Sequence, residues 1–288
     1  MKKPLFQGVC TALVTPFLDG VVNYPMMEQL LRRQLDAGIK AVVISGTTGE
    51  APTLSDEEKL ELFHRAKSFV GNECLILAGT GCNSTARTTE LSFAAQEEGV
   101  DGLLIVSPYY NKATPEGLIS HYLTVAHSVR IPIILYNVPS RTGMDIPVSV
   151  YRRLAPIPNV VGVKEAGTDL TKITRTCGTC GDFYVWTGND DYIVPAMSLG
   201  AQGVISVLSN ILPVETQAMT SAMLAGDLDT AASLQQQLQP LIDLLFCEVN
   251  PIPVKAAMKY LGYDCGGCRL PLTELSADNQ KRLETYFR

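Results

Sequence analysis

Apolar residues occur along this chain in short runs, and each run is followed by residues typical of turns. Several runs are almost continuous Val, Ile and Leu, a composition typical of strands that are buried on both faces. Eight of them have the length of a strand, and they cover residues 9–15, 41–45, 75–78, 102–107, 131–136, 160–164, 183–187 and 203–207. The pattern therefore predicts eight buried strands.

Longer segments with apolar residues at every third or fourth position lie between these runs, as amphipathic helices require. The clearest cover residues 26–37, 56–70, 85–98 and 115–128. Regular alternation of strand and helix predicts parallel strands joined by helical crossovers. Eight such units suit a (β/α)8 barrel, whereas a doubly wound dinucleotide-binding sheet lacks support because no Gly-x-Gly-x-x-Gly follows the first strand.

The pattern changes near Pro213, after which no further strand is predicted. Helices are expected over residues 216–225, 228–247, 254–261 and 278–287, with a break at Pro251 and Pro253, which restrict the backbone and lack amide donors. We therefore predict an α/β fold, namely a (β/α)8 TIM barrel over residues 1–225 followed by a C-terminal helical domain over residues 226–288.

Composition and charge narrow the class of protein. Hydrophobic residues make up 46% of the chain and charged residues 18%, which is typical of a well-buried globular protein. The net charge of −6 provides no basic patch for nucleic acid. Lys2 and Lys3 resemble the start of a signal peptide, but Pro4 and Gln7 interrupt that pattern, and no apolar stretch is long enough to anchor the chain. The sequence predicts a cytoplasmic protein.

Eight cysteines in such a protein favour reduced thiols over a disulfide framework. The pairs in Cys177-Gly-Thr-Cys180 and Cys265-Gly-Gly-Cys268 have the spacing of zinc ligands, yet they lie far apart and no matching histidine pattern accompanies them. Reduced cysteines in turns are the preferred interpretation. The three histidines lie within predicted helices, at His64, His121 and His127. No metal or cofactor is expected.

Polar residues that end the apolar runs are the candidates for chemistry, because active sites of such barrels lie at the carboxyl ends of the strands. These residues are Thr47 and Thr48 after the second run, Tyr110 after the fourth, Tyr136 and Arg141 at and after the fifth, Lys164 at the end of the sixth, and Gly188 to Asp191 after the seventh.

Lys164 is the most informative of them, because it ends the apolar segment Val160-Val-Gly-Val-Lys. Poorly hydrated surroundings disfavour an ammonium ion, so burial is expected to lower the lysine pKa and to provide a neutral amine that attacks a carbonyl to form an imine. The alternative is a lysine that pairs with a buried carboxylate or extends to the rim.

The other candidates each have a chemical and a structural interpretation. The loop with Thr47 and Thr48 could hold a small anion through amides and hydroxyls, or could be an ordinary turn. Tyr136 and Tyr110 could transfer protons near an imine, or could be core residues. Arg141 could bind a substrate carboxylate in bidentate fashion through two guanidinium N–H groups, or could be a surface arginine.

Three segments now occur in order, Gly46-Thr-Thr-Gly-Glu50, Tyr136-Asn-Val-Pro-Ser-Arg-Thr-Gly143 and Val163-Lys-Glu-Ala166. Through these motifs, and over its whole length, the chain resembles the dihydrodipicolinate synthase family. The resemblance implies a lyase of the class I aldolase type without a metal or cofactor. It would bind pyruvate as a Schiff base on Lys164 and condense it with L-aspartate 4-semialdehyde on the route to diaminopimelate and lysine.

The resemblance also implies roles for individual residues. Thr47, Tyr136 and Tyr110 would relay protons, with Tyr110 supplied by a neighbouring subunit of a homo-oligomer, usually a tetramer built as a dimer of dimers. Thr48 would hold the pyruvate carboxylate, and Arg141 would bind the carboxylate of the semialdehyde. The backbone of Gly188 and Ile205 would lie near Lys164 and the substrate.

Two alternative functions remain. Related sialic acid lyases and sugar-acid aldolases share the lysine and the fifth-strand tyrosine, but they usually lack the paired threonines and the Ser-Arg-Thr turn, so the predicted substrate depends mainly on Thr47 and Arg141. A barrel that had lost its chemistry and become a binding or regulatory protein would be expected to carry a substitution at Lys164, Tyr136 or Thr47. All three residues are present.

Regulation is where the chain departs from the lysine-inhibited members of the family, which bind lysine at a subunit interface through imidazoles and a carboxylate. The corresponding residues are Asp56, Lys59 and Arg87, whereas Asn83 and Tyr109 are retained. Arg87 stands in place of the carboxylate that would bind the α-ammonium group of the effector. Both Arg87 and Lys59 would repel a cationic effector. We predict that millimolar L-lysine leaves the activity nearly unchanged.

Overall fold

A computed structural model describes residues 2–288 and contains a closed barrel of eight parallel strands. The first barrel strand (Gly8–Ala12) pairs on one side with the second (Ala41–Ile44) and on the other with the eighth (Gly203–Ser206), which closes the sheet and excludes the doubly wound alternative. The barrel strands are β1 (Gly8–Ala12), β4 (Ala41–Ile44), β5 (Leu75–Gly79), β6 (Gly102–Val106), β7 (Ile133–Asn137), β8 (Val160–Glu165), β9 (Tyr184–Thr187) and β10 (Gly203–Ser206). The predicted (β/α)8 barrel is confirmed.

Helices follow the strands and surround the barrel. They are α1 (Tyr24–Asp36), α2 (Asp56–Val70), α3 (Thr85–Glu97), α4 (Pro115–Ser128), α5 (Pro139–Thr142), α6 (Val148–Leu154), α7 (Leu170–Thr179), α8 (Ile193–Ser198) and α9 (Pro213–Ala225). Short 3₁₀ turns cover Ala51–Thr53, Asp190–Tyr192 and Leu208–Asn210. The C-terminal region contributes α10 (Leu228–Leu245), α11 (Ile252–Tyr260) and α12 (Ala277–Phe287).

Alternating residues of each strand enter two different cores. In β4, Ala41 and Val43 belong to the cluster that fills the barrel interior, whereas Val42 and Ile44 belong to the larger cluster between barrel and helices. Both faces are apolar because both are buried, which explains why the strands appear as continuous hydrophobic runs. The predicted strands therefore match the observed ones at most positions.

The helix boundaries follow from local capping. Ser55 precedes α2, its hydroxyl accepts from the amide of Glu58, and the Glu58 carboxylate accepts in return from the amide of Ser55. Asp56 is the first residue of the helix, where a negative charge is favourable. Gly71 ends the helix with a positive φ of 56°.

One difference from the expected pattern lies directly after the first strand. β1 ends at Ala12, and a two-stranded hairpin of β2 (Phe17–Leu18) and β3 (Val21–Val22) leads into α1. The amide of Phe17 donates to the carbonyl of Cys265 at 2.9 Å, so the hairpin is fixed by the C-terminal region. A contact between residues so far apart in sequence leaves no local signal.

The C-terminal helices continue directly from the barrel. α9 packs on β1 as the eighth barrel helix, and α10 packs on α8 and α9. Between α9 and α10 lies Gly226, whose φ of 81° ends α9 at the position of the predicted boundary. The division into a barrel of residues 1–225 and a helical domain of residues 226–288 remains a prediction. None of the helices described over residues 2–288 combines the length and apolarity that crossing a bilayer requires.

Candidate active site

Lys164 lies in β8 between Tyr136 of β7 and Trp186 of β9, its partners in the two strand registers. The lysine is 6% exposed, and its Nζ lies 4.5 Å from the centroid of the Tyr136 ring. Within residues 2–288, Nζ has neither an ion-pair partner nor a hydrogen bond. The structural alternative of a lysine neutralised by a direct carboxylate contact is therefore not observed there, and the arrangement suits an amine that attacks a carbonyl.

Gly188 follows β9 and packs directly against the lysine side chain. A Cβ atom at this position would lie 2.7 Å from Lys164 Cε and 2.7 Å from Ala166 Cβ, closer than real contacts allow. The Gly188 amide donates to the carbonyl of Glu165 at 2.7 Å, which ties the ends of β8 and β9 together. Ile205 of β10 is fully buried in the barrel interior, in the same cluster as Tyr136.

The loop after β4 places its two threonines differently. Thr47 is half-buried, whereas Thr48 is buried and its Oγ1 accepts a hydrogen bond from Asn250 Nδ2 at 2.9 Å. The backbone amides of Thr47 and Thr48 find no acceptor within residues 2–288. Two consecutive amide N–H groups without acceptors can bind a carboxylate. The hydroxyl of Thr48 accepts from the C-terminal region and keeps its own proton to donate.

Arg141 lies in the short helix α5 and is exposed, yet it is not a free surface residue. Its Nη2 donates to the backbone carbonyl of Asn250 at 3.2 Å. Asn250 thus contacts both Thr48 and Arg141, the two residues predicted to hold substrate carboxylates. Sequence reasoning missed Asn250, because its partners are 202 and 109 positions away.

A cavity of about 300 Å³ extends along one side of the site. Its lining includes Thr47, Tyr136 and Arg141, and also Lys59, Arg87 and Tyr109. The charged residues that line it are all cations. Lys164 does not line the cavity, but its Nζ lies 4.5 Å from the ring centroid of Tyr136, which does. A small anionic molecule would find favourable charge here.

Tyr110 is the one predicted residue that the structure does not bring to the others. It is 93% exposed, and its φ of 70° lies in the left-handed region that residues with a Cβ avoid. The adjacent Asn111 donates to the carbonyl of Asn83 at 2.9 Å, which fixes the loop. Within one chain Tyr110 therefore has no part in the site, and its predicted role depends on a second copy.

A buried polar network supports β8 next to Lys164. The Glu165 carboxylate accepts from Asn137 Nδ2 at 2.7 Å, from the amide of Gly167 at 3.0 Å and from the Tyr151 hydroxyl at 3.1 Å, and it lies 3.4 Å from Lys172 Nζ. Burial raises the pKa of Glu165, and the charge of Lys172 opposes that shift. Glu165 follows the lysine in sequence, so its polarity at a strand end was the available signal.

Asp190 performs a similar supporting role after β9. The residue is fully buried, and its Oδ2 accepts from the amides of Val207 and Leu208, each at 2.9 Å. Burial raises the pKa of Asp190, and the positive charge of Lys164 is among the influences that oppose the shift. Asp190 is therefore an electrostatic neighbour of the lysine without contacting it, and it fixes the turn that follows Ile205.

The segment that departs from the lysine-inhibited pattern is already paired internally. Arg87 Nε and Nη2 each donate to the Asp56 carboxylate at 3.1 Å, and Lys59 Nζ lies 3.5 Å from the same group. Hydrogen bonding to Arg87 lowers the pKa of Asp56. One carboxylate thus faces two cations, which leaves an excess of positive charge.

The cysteines form neither disulfides nor a shared metal site in the described part of the chain. All eight are free thiols. No group of three or more potential His, Cys, Asp or Glu ligands is assembled within residues 2–288, so the two Cys-x-x-Cys pairs do not form a joint zinc site there.

Comparisons with known proteins agree with this geometry. The model of the "Dihydrodipicolinate synthetase family" matches residues 5–288. The 4-hydroxy-tetrahydrodipicolinate synthase of Acetivibrio thermocellus is 43% identical over 280 residues, which cover 97% of this chain and 95% of that protein. The crystal structure of dihydrodipicolinate synthase from Aquifex aeolicus has a TM-score of 0.96 at 42% identity and covers 98% of this chain and 97% of its own. The chloride-inhibited dihydrodipicolinate synthase from Acinetobacter baumannii, crystallised with pyruvate, has a TM-score of 0.95 at 41% identity, with 97% of each chain covered.

Proposed function

Because the chain belongs to the dihydrodipicolinate synthetase family, we propose that it condenses pyruvate with L-aspartate 4-semialdehyde, the reaction of 4-hydroxy-tetrahydrodipicolinate synthases. The observation that carries the proposal is Lys164, a buried amine without an ion-pair or hydrogen-bond partner within residues 2–288, next to the Tyr136 ring. The names of the relatives favour this reaction over cleavage of sialic acid or a sugar acid.

In the proposed first step, Lys164 Nζ attacks the keto carbon of pyruvate, and loss of water from the resulting carbinolamine gives the imine. Removal of a proton from the methyl group then gives an enamine, whose carbon attacks the aldehyde of the second substrate. Tyr136 and Thr47 supply hydroxyls for these proton transfers. The amino group of the semialdehyde finally displaces Lys164 from the imine carbon, which closes the ring of the product and frees the enzyme.

Substrate carboxylates are assigned to two places. The free amides of Thr47 and Thr48 bind the carboxylate of pyruvate, while Arg141 binds the carboxylate of the semialdehyde. The Thr48 hydroxyl accepts from Asn250 Nδ2, so its own proton can still be donated to the carboxylate beside the amide. The backbone near Gly188 and Ile205 borders the lysine.

We further propose a cytoplasmic homo-oligomer, a tetramer arranged as a dimer of dimers, in which Tyr110 of one subunit completes the site of the next. This proposal is supported by the position of Tyr110, which is 93% exposed within one chain. A phenol so exposed in one chain is suited to a neighbouring copy. Sedimentation of the purified protein tests the assembly, and a monomer with full activity would contradict it.

The function itself is tested with purified protein, pyruvate and a panel of aldehydes. We expect product from aspartate semialdehyde and little turnover of sugar-acid aldehydes, because Arg141, which lines the cavity, supplies a cation for a short anionic substrate. Preference for a sugar-derived aldehyde would establish the alternative aldolase activity. No imine with pyruvate would leave a binding or regulatory protein.

A further inference from the structure

The loop that carries Thr47 and Thr48 is held from outside the barrel by a buried ion pair. Glu50 ends this loop, and its Oε1 accepts from Lys255 Nζ of α11 at 2.9 Å; the two side chains are 0% and 2% exposed. The second carboxylate oxygen, Oε2, accepts from the amide of Arg269 at 2.9 Å. Both oxygens of Glu50 are therefore committed to the C-terminal region.

Lys255 is itself fixed in this position. Its Nζ also donates to the carbonyl of Gly267 at 2.7 Å and lies 4.4 Å from the centroid of the Phe17 ring. Because Lys255 is buried and has several partners, the geometry of the ion pair is more restricted than that of a surface pair. Glu50 is thus tied to a side chain that the C-terminal region holds in place.

The backbone of Glu50 shows that the loop needs such support. Its φ of 56° lies in the left-handed region, which is unfavourable for a residue with a Cβ atom. The Glu50 amide donates to the carbonyl of Thr47 at 3.1 Å, so the turn that exposes the two free threonine amides is closed by Glu50 itself. A change in the conformation at Glu50 would redirect these amides.

We propose that Glu50 is a positioning residue: its buried pair with Lys255 and its contact with the Arg269 amide hold the amides of Thr47 and Thr48 in the orientation that binds the pyruvate carboxylate. The C-terminal helical region then takes part in substrate binding through the barrel loop. This inference rests on the proposed function.

The expected signature is a change in pyruvate binding without a matching change in turnover. The carboxylate of pyruvate keeps its charge from bound substrate to transition state, so an interaction with it contributes about equally to both and its loss raises KM while kcat changes little. For Glu50→Gln we expect the half-saturating pyruvate concentration to rise about tenfold, with kcat within about twofold of wild type.

Glu58→Gln is the matched control, because Glu58 also binds the C-terminal region. Its carboxylate accepts from the guanidinium of Arg269 at 2.6 Å, but it belongs to α2 and its hydrogen bonds are to Arg269 and Ser55, not to residues 46–50. Glutamine retains the oxygen that caps α2. Weaker attachment of the C-terminal region alone should therefore leave the half-saturating pyruvate concentration of Glu58→Gln at the wild-type value.

A double variant separates positioning from stability. Glu50→Gln leaves the Lys255 ammonium buried without its carboxylate, and that unpaired charge lowers the stability of the fold. Adding Lys255→Met removes the charge, so the melting temperature should recover. The loop still lacks its tie to α11, so the half-saturating pyruvate concentration should stay raised. The double variant also provides the test if Glu50→Gln alone does not fold.

The experiment measures borohydride trapping of pyruvate as a function of pyruvate concentration, together with steady-state kinetics and melting temperature, for all four proteins. Raised half-saturation in both Glu50 variants, with wild-type behaviour in Glu58→Gln, supports the proposal. Unchanged half-saturation in the folded Glu50 variants, an equal rise in Glu58→Gln, or a recovery of pyruvate binding with stability in the double variant would overturn it. Absence of any wild-type adduct would instead refute the proposed function and this inference together.

Discussion

Replacement of Gly188 by alanine tests how closely the barrel constrains the lysine. The new methyl group would lie 2.7 Å from Lys164 Cε and 3.3 Å from Lys164 Cγ, so a shift of the terminal amine alone does not relieve the contact. It would also lie 2.7 Å from Ala166 Cβ, a short side chain that cannot rotate away. Both the lysine and the backbone after β8 must move.

The magnitude follows from these distances. Excess volume in a packed site typically costs about 1–3 kcal/mol of unfolding free energy. A lysine displaced by about 1 Å should form the imine on the order of a hundredfold more slowly. We therefore expect Gly188→Ala to be folded, moderately destabilised and severely impaired in imine formation.

Urea denaturation and the time course of borohydride trapping with pyruvate measure the two effects. Gly178→Ala is the matched control: Gly178 lies in α7, its added Cβ would have no atom within 4 Å other than those of its neighbours and its own helix backbone, and alanine should stabilise a helix by up to about 1 kcal/mol. If Gly188→Ala forms the imine at the wild-type rate, Lys164 does not react from the position described above.

Three further predictions concern substrate, effector and pH. Arg141→Ala should weaken the use of aspartate semialdehyde by about 2–4 kcal/mol while pyruvate trapping persists, and equal losses in both half-reactions, measured separately, would show that Arg141 serves the fold or the pyruvate instead. Millimolar L-lysine should leave the activity nearly unchanged, because the Asp56 carboxylate is already paired with the Arg87 guanidinium; a titration with saturable inhibition below one millimolar would refute this. Burial lowers the pKa of His121 from 6.5 to about 4. As the pH falls, the His121 imidazole is therefore protonated in the unfolded chain before it is protonated in the folded one, so the stability present above pH 6.5 is lost as the pH falls toward 4. His121→Gln should therefore show a shallower loss of stability in urea denaturation over that range, and an unchanged slope would contradict the assignment.

The barrel was predictable because its signals are local. Each strand is a short apolar run, several helices begin with a capping residue such as Ser55 or Thr114, and the carboxyl ends of the strands mark the functional edge. Lys164 and Tyr136 were found in this way, since parallel strands in register place their last residues side by side. The structure places the two side chains in contact, as the pattern of strand ends predicts.

Contacts from the C-terminal region were not predictable from the sequence pattern. Asn250, Lys255 and Arg269 reach the barrel loop over separations of 202, 205 and 219 residues, and nothing near them in sequence indicates a partner. The hydroxyl of Thr48 illustrates the consequence: the motif predicts that Thr48 holds the pyruvate carboxylate, but it does not indicate that Asn250 of the C-terminal region donates a hydrogen bond to this hydroxyl.

Tyr110 marks a different limit. Its exposure and positive φ are visible in one chain, but the residue it would contact belongs to another copy. Hydrophobic periodicity describes how one chain packs on itself, and it carries no information on which exposed side chain enters a neighbouring site. The role of Tyr110 therefore came from resemblance alone.

The proposed activity depends most directly on the covalent bond between pyruvate and Lys164. Borohydride reduction of the protein with pyruvate, followed by mass spectrometry of its peptides, should locate one adduct on the peptide that contains Lys164. Lys164→Ala should be folded, because the wild-type amine has no ion pair or hydrogen bond to lose within residues 2–288, and it should show no adduct. An adduct on another lysine, or a full yield of adduct in Lys164→Ala, would contradict the account.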